Sequence, residues 1–367
     1  GRISEAVDLA TSGGTVDVLA GTYDDEVNVT KPLTLNGPNA GTSPNDSSDP
    51  LNPNSSRVAE AVIAPTSGAA PLHLADDNIT VNGFTIDGDG NSDGTNDRPF
   101  GINNFDVNGG TYRTVTDFSV TNTIIRNVTA YGIFVCNNSD QCTGNTSQVE
   151  DGITAGGVFS QNRFENLQGN DPVRAIGMTG DGIIETVTNN VVTANSSSDR
   201  LYGIQTQRLA FEALTDTDQT NLTLTIADNL FQSERAIWLN FHDSDGPNVT
   251  VENNTVEDAQ FGLRVESMNG GGDISFIDND VSNNKSFKLP IFIVNSDLSP
   301  SNSELIVSGG GLSDGGDFGT ILVQGARLDR IEDVDIQNSN IGIRSSNGGN
   351  IGRIERVLFS GIVDDAI

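Results

Sequence analysis

Apolar and polar residues alternate along this chain in short runs, as in Val249-Thr250-Val251 and Leu222-Thr223-Leu224-Thr225-Ile226. A period of two is that of a strand with one buried face, and patterns of helical period are almost absent. Turn residues, mostly Asn or Gly, precede many of these runs. Matching segments include Asn82-Gly83-Phe84, Asn122-Thr123-Ile124, Asn162-Arg163-Phe164, Asn190-Val191-Val192, Asn229-Leu230-Phe231, Asn254-Thr255-Val256, Asn279-Asp280-Val281, Gly310-Gly311-Leu312 and Val334-Asp335-Ile336, with the shortest spacings near 25 residues. A unit of that length holds about three strands of 4 to 5 residues plus turns, so longer spacings predict coils carrying inserted loops. A second recurrence follows each turn: Tyr131-Gly132-Ile133, Tyr202-Gly203-Ile204, Ala236-Ile237, Phe261-Gly262-Leu263, Pro290-Ile291, Thr320-Ile321 and Ile341-Gly342-Ile343. This reads as one strand returning in register, coil after coil.

The composition agrees with stacked coils. Only 35% of the 367 residues are hydrophobic, thin for a globule of this length but enough for a solenoid, where each coil buries alternate residues alone. Gly adopts positive φ freely and Asn tolerates it, which suits both to corners, and stacked Asn amides can bond from one coil to the next. The expected fold is all-β, a parallel β-helix of about 10–12 coils.

The opening segment is more specific. Ile3, Val7 and Ala10 share one face of a short helix within residues 1–12, opened by Ser4 or its neighbours. Gly13-Gly14-Thr15-Val16-Asp17-Val18 follows, then the run from Gly21-Thr22-Tyr23 to Leu33-Thr34-Leu35-Asn36-Gly37. This entry resembles the first coils of the pectin-lyase-like superfamily, and the repeats behind it extend the resemblance over nearly the whole chain. The resemblance implies a right-handed β-helix whose N-terminal helix plugs the open end of the first coil. It is weak for activity, since the superfamily holds lyases, hydrolases, esterases, epimerases, tailspikes and adhesins. The chain is expected to form a single domain, 1–367, with insertions at 38–60 and 87–112. Both ends read as cut from a longer protein, and no apolar run is long enough to span a membrane.

Charge narrows the partners. The 19 Lys and Arg against 50 Asp and Glu leave a formal charge of −31, which disfavours nucleic acid and anionic lipid. The excess acid fits solubility in a saline setting or binding of divalent cations. One acidic segment is patterned: Asp87, Asp89, Asn91, Asp93 and Asp97 place oxygens at alternate positions, and Asp89-Gly90-Asn91-Ser92-Asp93-Gly94 matches the start of a calcium loop. Phe100 stands where the bidentate Glu of a complete EF-hand would be, so the segment is either a partial calcium site or an acidic turn. Cys136 and Cys142, the two cysteines, are spaced for a local disulfide, which predicts an oxidising, extracellular or cell-surface location.

Strand alternation supplies the lead on function. With Ile133, Ile204, Ile237, Leu263, Ile291, Ile321 and Ile343 inward, the next residues, Phe134, Gln205, Trp238, Arg264, Phe292, Leu322 and Arg344, form an outward column. Two positions on, Gln207, Asn240, Glu266 and Gln324 point the same way. Rings beside Arg, Asn, Gln and Glu suit a sugar, whose apolar face stacks while its hydroxyls need donors and acceptors. The alternative is an inserted loop that covers these rings. Catalytic candidates are His242, Asp243 and Asp245, directly after the Trp238 strand, with Arg264 and Glu266 as a base and its partner by analogy to pectate-lyase-like enzymes. Phe241–Pro247 also reads as an ordinary turn. Two functions are expected: a secreted or surface module that binds a polysaccharide or cell-surface glycan or serves as a rigid stalk, or a polysaccharide lyase, hydrolase or epimerase.

Overall fold

The structure is a computed structural model, described for residues 2–94, 96–108, 110–137, 156–169, 172–180, 185–193, 201–207, 223–240, 247–267, 272–282, 289–296, 298 and 303–367. The chain divides into two compact units, Gly1–Leu201 and Tyr202–Ile367. Each is a right-handed parallel β-helix whose coils contribute one strand to each of three sheets, named here in the order the chain visits them.

In the N-terminal unit the first sheet runs from Gly14–Asp17 through Leu33–Asn36, Ile79–Asn82, Ser119–Thr121 and Val158–Ser160 to Thr186–Thr188. Its third sheet holds Val27–Val29, Leu72–Leu74, Arg98–Asn103, Val128–Asn137 and Val173–Gly180, all paired parallel. Ile3–Leu9 forms the expected helix, with Ile3 and Val7 buried. Its N-cap, Arg2, gives no side-chain bond; instead the Ser4 N–H donates to Asp25 Oδ2 at 2.8 Å. The 38–60 insertion folds back on the coils: Asn45 Nδ2 donates to the Asn162 carbonyl and Arg163 donates to the carbonyls of Pro50 and Leu51. Residues 87–112, expected to be a loop, contain a full rung of the third sheet, Arg98–Asn103, and a hairpin of Phe105–Asp106 with Thr111–Tyr112. The interrupted alternation of Arg98-Pro99-Phe100-Gly101 hides this strand in the sequence.

In the C-terminal unit the third sheet holds Leu201–Gln207, Arg235–Asn240, Phe261–Glu266, Leu289–Val294, Ile321–Gln324 and Ile343–Ser346. The residues expected to face inward, Ile204, Ile237, Leu263, Ile291, Ile321 and Ile343, are all buried. The recurring Gly before them has a steric cause. A Cβ on Gly203 would lie 2.4 Å from the Ala236 carbonyl oxygen of the next coil and 2.5 Å from the Phe231 ring; on Gly262 it would lie 2.6 Å from the Pro290 oxygen. Backbone of the neighbouring coil and a large inward side chain of the second sheet share the space that a methyl would need.

The corners explain both the Asn content and one misalignment. In the C-terminal unit Asp228, Asn253 and Asp278 take positive φ, and the residue after each, Asn229, Asn254 and Asn279, is buried and stacked. Asn229 Nδ2 donates to Asn254 Oδ1, and Asn254 Nδ2 to Asn279 Oδ1, each at 2.9 Å. In the N-terminal unit the corresponding positive-φ residues are Gly83, Asn122, Gln161 and Asn189, each two positions before a strand of the second sheet. The corner is therefore marked by the left-handed residue rather than by Asn. Aligning on Asn slips the register: the true partners are Ile86, Ile125 and Phe164, not Phe84, Ile124 and Phe164.

Candidate functional site

The C-terminal unit carries a cationic and aromatic wall on the outer face of its third sheet. Parallel register places Gln205, Trp238, Arg264, Phe292, Leu322 and Arg344 in one column, as alternation implied. A second column, three residues earlier, holds Tyr202, Arg235 and Phe261. Those three were missed, because they stand two positions before the inward Ile204, Ile237 and Leu263, where alternation alone turns them inward; the cross-strand register joins them to the wall.

The two columns interleave charge and ring. The Arg235 guanidinium carbon lies 4.7, 5.2 and 5.1 Å from the ring centroids of Tyr202, Trp238 and Phe261. That of Arg264 lies 4.5, 5.7 and 5.3 Å from Trp238, Phe261 and Phe292. Each cation thus meets the negative faces of several rings in a partly dry setting, where such contacts are worth about 0.5–2 kcal/mol. Arg264 Nη2 also pairs with Glu266 Oε2 at 2.8 Å. Burial lowers the Arg264 pKa, Glu266 opposes that shift, and Arg235 adds to it. A guanidinium stays protonated regardless.

Polar atoms beside the rings are left over. Trp238 Nε1, Arg264 Nε and Asn240 Oδ1 are withdrawn from water and have no hydrogen-bond partner among the described residues. An unpaired buried polar atom costs about 1–3 kcal/mol, so these atoms, with Arg235 Nε in the same wall, call for a partner beyond the described residues. Trp238 itself is half-buried, as are Phe261 and Phe292, while Gln205 and Tyr202 are buried and Arg344 is exposed, donating to the Asp317 carbonyl. The catalytic candidates His242, Asp243 and Asp245 lie outside the described residues.

The remaining candidates fall in the N-terminal unit. Phe134 is 5% exposed, packed with Tyr112, Cys136, Phe100, Phe105 and Tyr131. The hairpin supplies Phe105 and Tyr112, so here a loop does cover the column, the outcome foreseen as the alternative to an open face. Cys136 is fully buried and disulfide-bonded; Cys142 lies outside the described residues. In the acidic segment Asp87 pairs with Arg126 at 2.8 Å and accepts from Asn127. Asp89 accepts from the Asp93 and Gly94 N–H groups, and Asn91 donates to Asp93. Asp97 sits 3.9 Å from Arg98. The loop's oxygens thus brace its own backbone, and among the described residues no group of three or more His, Cys, Asp or Glu is set to hold a metal ion.

One buried cluster gave no functional signal in the sequence. His73, fully buried, has Nδ1 2.6 Å from Asn103 Oδ1 and Nε2 2.8 Å from Glu26 Oε1. No family model matches this chain, and neither a curated protein nor a solved structure matches it significantly.

Proposed function

We propose that the protein is a β-helix module that binds carbohydrate through the wall around Trp238 and Arg264. The observation that carries this reading is the set of unpartnered polar atoms, Trp238 Nε1, Arg264 Nε and Asn240 Oδ1, arranged beside half-buried rings. Two donors and one acceptor next to apolar surface are what a pyranose needs, with hydroxyls on its rim and C–H groups on its faces. A straight chain of sugars would meet successive coils at the strand spacing of about 4.8 Å, so a polymer or oligosaccharide suits a solenoid wall better than a lone sugar. The entry-sequence resemblance to the pectin-lyase-like superfamily supports the same ligand class, and the disulfide-bonded Cys136 supports a secreted or cell-surface location.

A second reading, a polysaccharide lyase, hydrolase or epimerase, draws on the Arg264–Glu266 pair and the desolvated Arg264. One assay separates them. The full chain and its Trp238→Ala variant are passed over a panel of immobilised polysaccharides, and eluates are scored for retention and for new reducing or unsaturated ends. Retention without new ends, lost in the variant, supports the binding module. New ends that vanish on Arg264→Leu support the enzyme. Failure of every polysaccharide to retain the folded chain refutes both.

A further inference from the structure

In the N-terminal unit the hairpin Phe105–Asp106/Thr111–Tyr112 lies over the outer face of the third sheet, and beneath its first strand sits His73. Donor and acceptor accounting fixes the state of this ring. Asn103 Oδ1 accepts the Phe105 N–H at 3.1 Å, which sets the orientation of the amide, so the ring nitrogen 2.6 Å from that same oxygen, Nδ1, must be a donor. On the other side Nε2 is 2.8 Å from Glu26 Oε1, and the Glu26 pKa is lowered, first by its bond to His73. A partly exposed carboxylate whose pKa is lowered is ionised at neutral pH and only accepts. Nε2 must donate as well.

We infer that His73 carries protons on both ring nitrogens, and that its ion pair with Glu26 is a pH-sensitive latch holding the hairpin against the sheet. The latch connects directly to the hairpin. Asn103 Oδ1 joins the ring to the Phe105 N–H, and Asn28, the sheet neighbour of His73, donates from Nδ2 to Asp106 Oδ1 at 2.9 Å. Phe105 then packs on Tyr112, with ring centroids 5.1 Å apart, and Tyr112 on Phe134 at 6.0 Å.

Loss of the Nε2 proton turns attraction into repulsion. The neutral ring keeps Nδ1–H for Asn103, leaving a lone pair on Nε2 facing the carboxylate oxygen at 2.8 Å. Glu26, whose side chain is 28% exposed, can turn to water, whereas the fully buried ring cannot. Other titratable groups on the surrounding elements are accounted for. Asp106 is held by Asn28, Arg98 stays charged and donates to the Thr66 and Gly68 carbonyls, and the Tyr112 phenol is pushed up to about 12 by burial. On the acid side Glu26, held below 4.5 mainly by its bond from His73, keeps the pair intact until the pH falls through its lowered value. The latch is therefore closed between these limits and released as pH rises through the His73 transition.

The test is a pH series on the full chain by nitrogen-15 NMR of the imidazole rings, with His73→Asn used to assign the signal. At about pH 6, both His73 nitrogens are expected to carry protons. As the ring loses one, the Phe105 amide should lose exchange protection beyond intrinsic base catalysis. Glu26→Gln should move that loss to lower pH. A ring with a single proton at pH 6 overturns the inference, as does Phe105 protection that ignores the ring's titration. Both readouts come from the unsubstituted chain, so an unstable variant leaves them intact.

Discussion

Two adjacent asparagines at one corner should respond very differently to removal of the side chain. Asn254 is 1% exposed, and its Oδ1 accepts both the Asn229 N–H at 3.0 Å and Asn229 Nδ2 at 2.9 Å. Its own Nδ2 donates to Asn279 Oδ1 and to the Ile226 carbonyl, each at 2.9 Å. Asn254→Ala leaves the Asn229 N–H and the Ile226 oxygen short of a bond inside the coil, while Asn279 Oδ1 still receives the Asn254 N–H at 3.1 Å. Two Asn229 donors that lose an acceptor, and the Ile226 and Glu252 carbonyls that lose a donor, amount to a loss of about 2–4 kcal/mol. Asn253, exposed and at φ 53°, bears no such load. Asn253→Ala should cost only the left-handed penalty of about 1 kcal/mol, and Asn253→Gly close to nothing. Urea unfolding of the full chain, followed by circular dichroism, measures all three. Equal costs for Asn253→Ala and Asn254→Ala would refute the stacked-amide account of the corners.

Other consequences follow from the same contacts. Gly262→Ala forces a methyl to 2.5 Å from Val281 Cγ1 and 2.6 Å from the Pro290 oxygen, and should lower stability by about 1–3 kcal/mol in the same unfolding assay. Trp238→Ala should weaken retention on the bound polysaccharide at least about 30-fold, the mark of a hot-spot residue, with a stability loss under about 2 kcal/mol. Burial pushes the Tyr112 phenol up to about 12 and raises Tyr131 too. Between about pH 10 and 12 the folded chain then holds protons the unfolded chain has released, so stability should fall with rising pH, and ultraviolet titration should show these phenols ionising late. Simple ionisation of all four tyrosines near pH 10 with the chain still folded would contradict the buried aromatic cluster.

The sequence made the coil legible because its signals are local. Period-two runs, left-handed corners and the Gly before the inward residue of several coils all follow from contacts between adjacent coils, and they repeat. The inward set from Ile204 to Ile343 was read directly from that repetition. Where the coil carries an insertion, the reading weakened. Arg98–Asn103 escaped notice because Pro99 and Gly101 interrupt its alternation, and the hairpin beyond it buried Phe134, placed at first in the open column. The outward wall was half legible: the column of Trp238 and Arg264 followed from alternation, whereas the column of Tyr202, Arg235 and Phe261 needed the cross-strand register to join it. Glu26, His73 and Asn103 lie 47 and 30 residues apart, with no local pattern to connect them. Stacking of coils brings them together.

Trp238 is the single tryptophan of the chain, so its emission reports on the proposed wall alone. Titrating the full chain with a polysaccharide that retains it should change that emission saturably, with a midpoint equal to the one obtained from retention. Saturable retention with no change in Trp238 emission would place the ligand elsewhere on the protein and contradict the account.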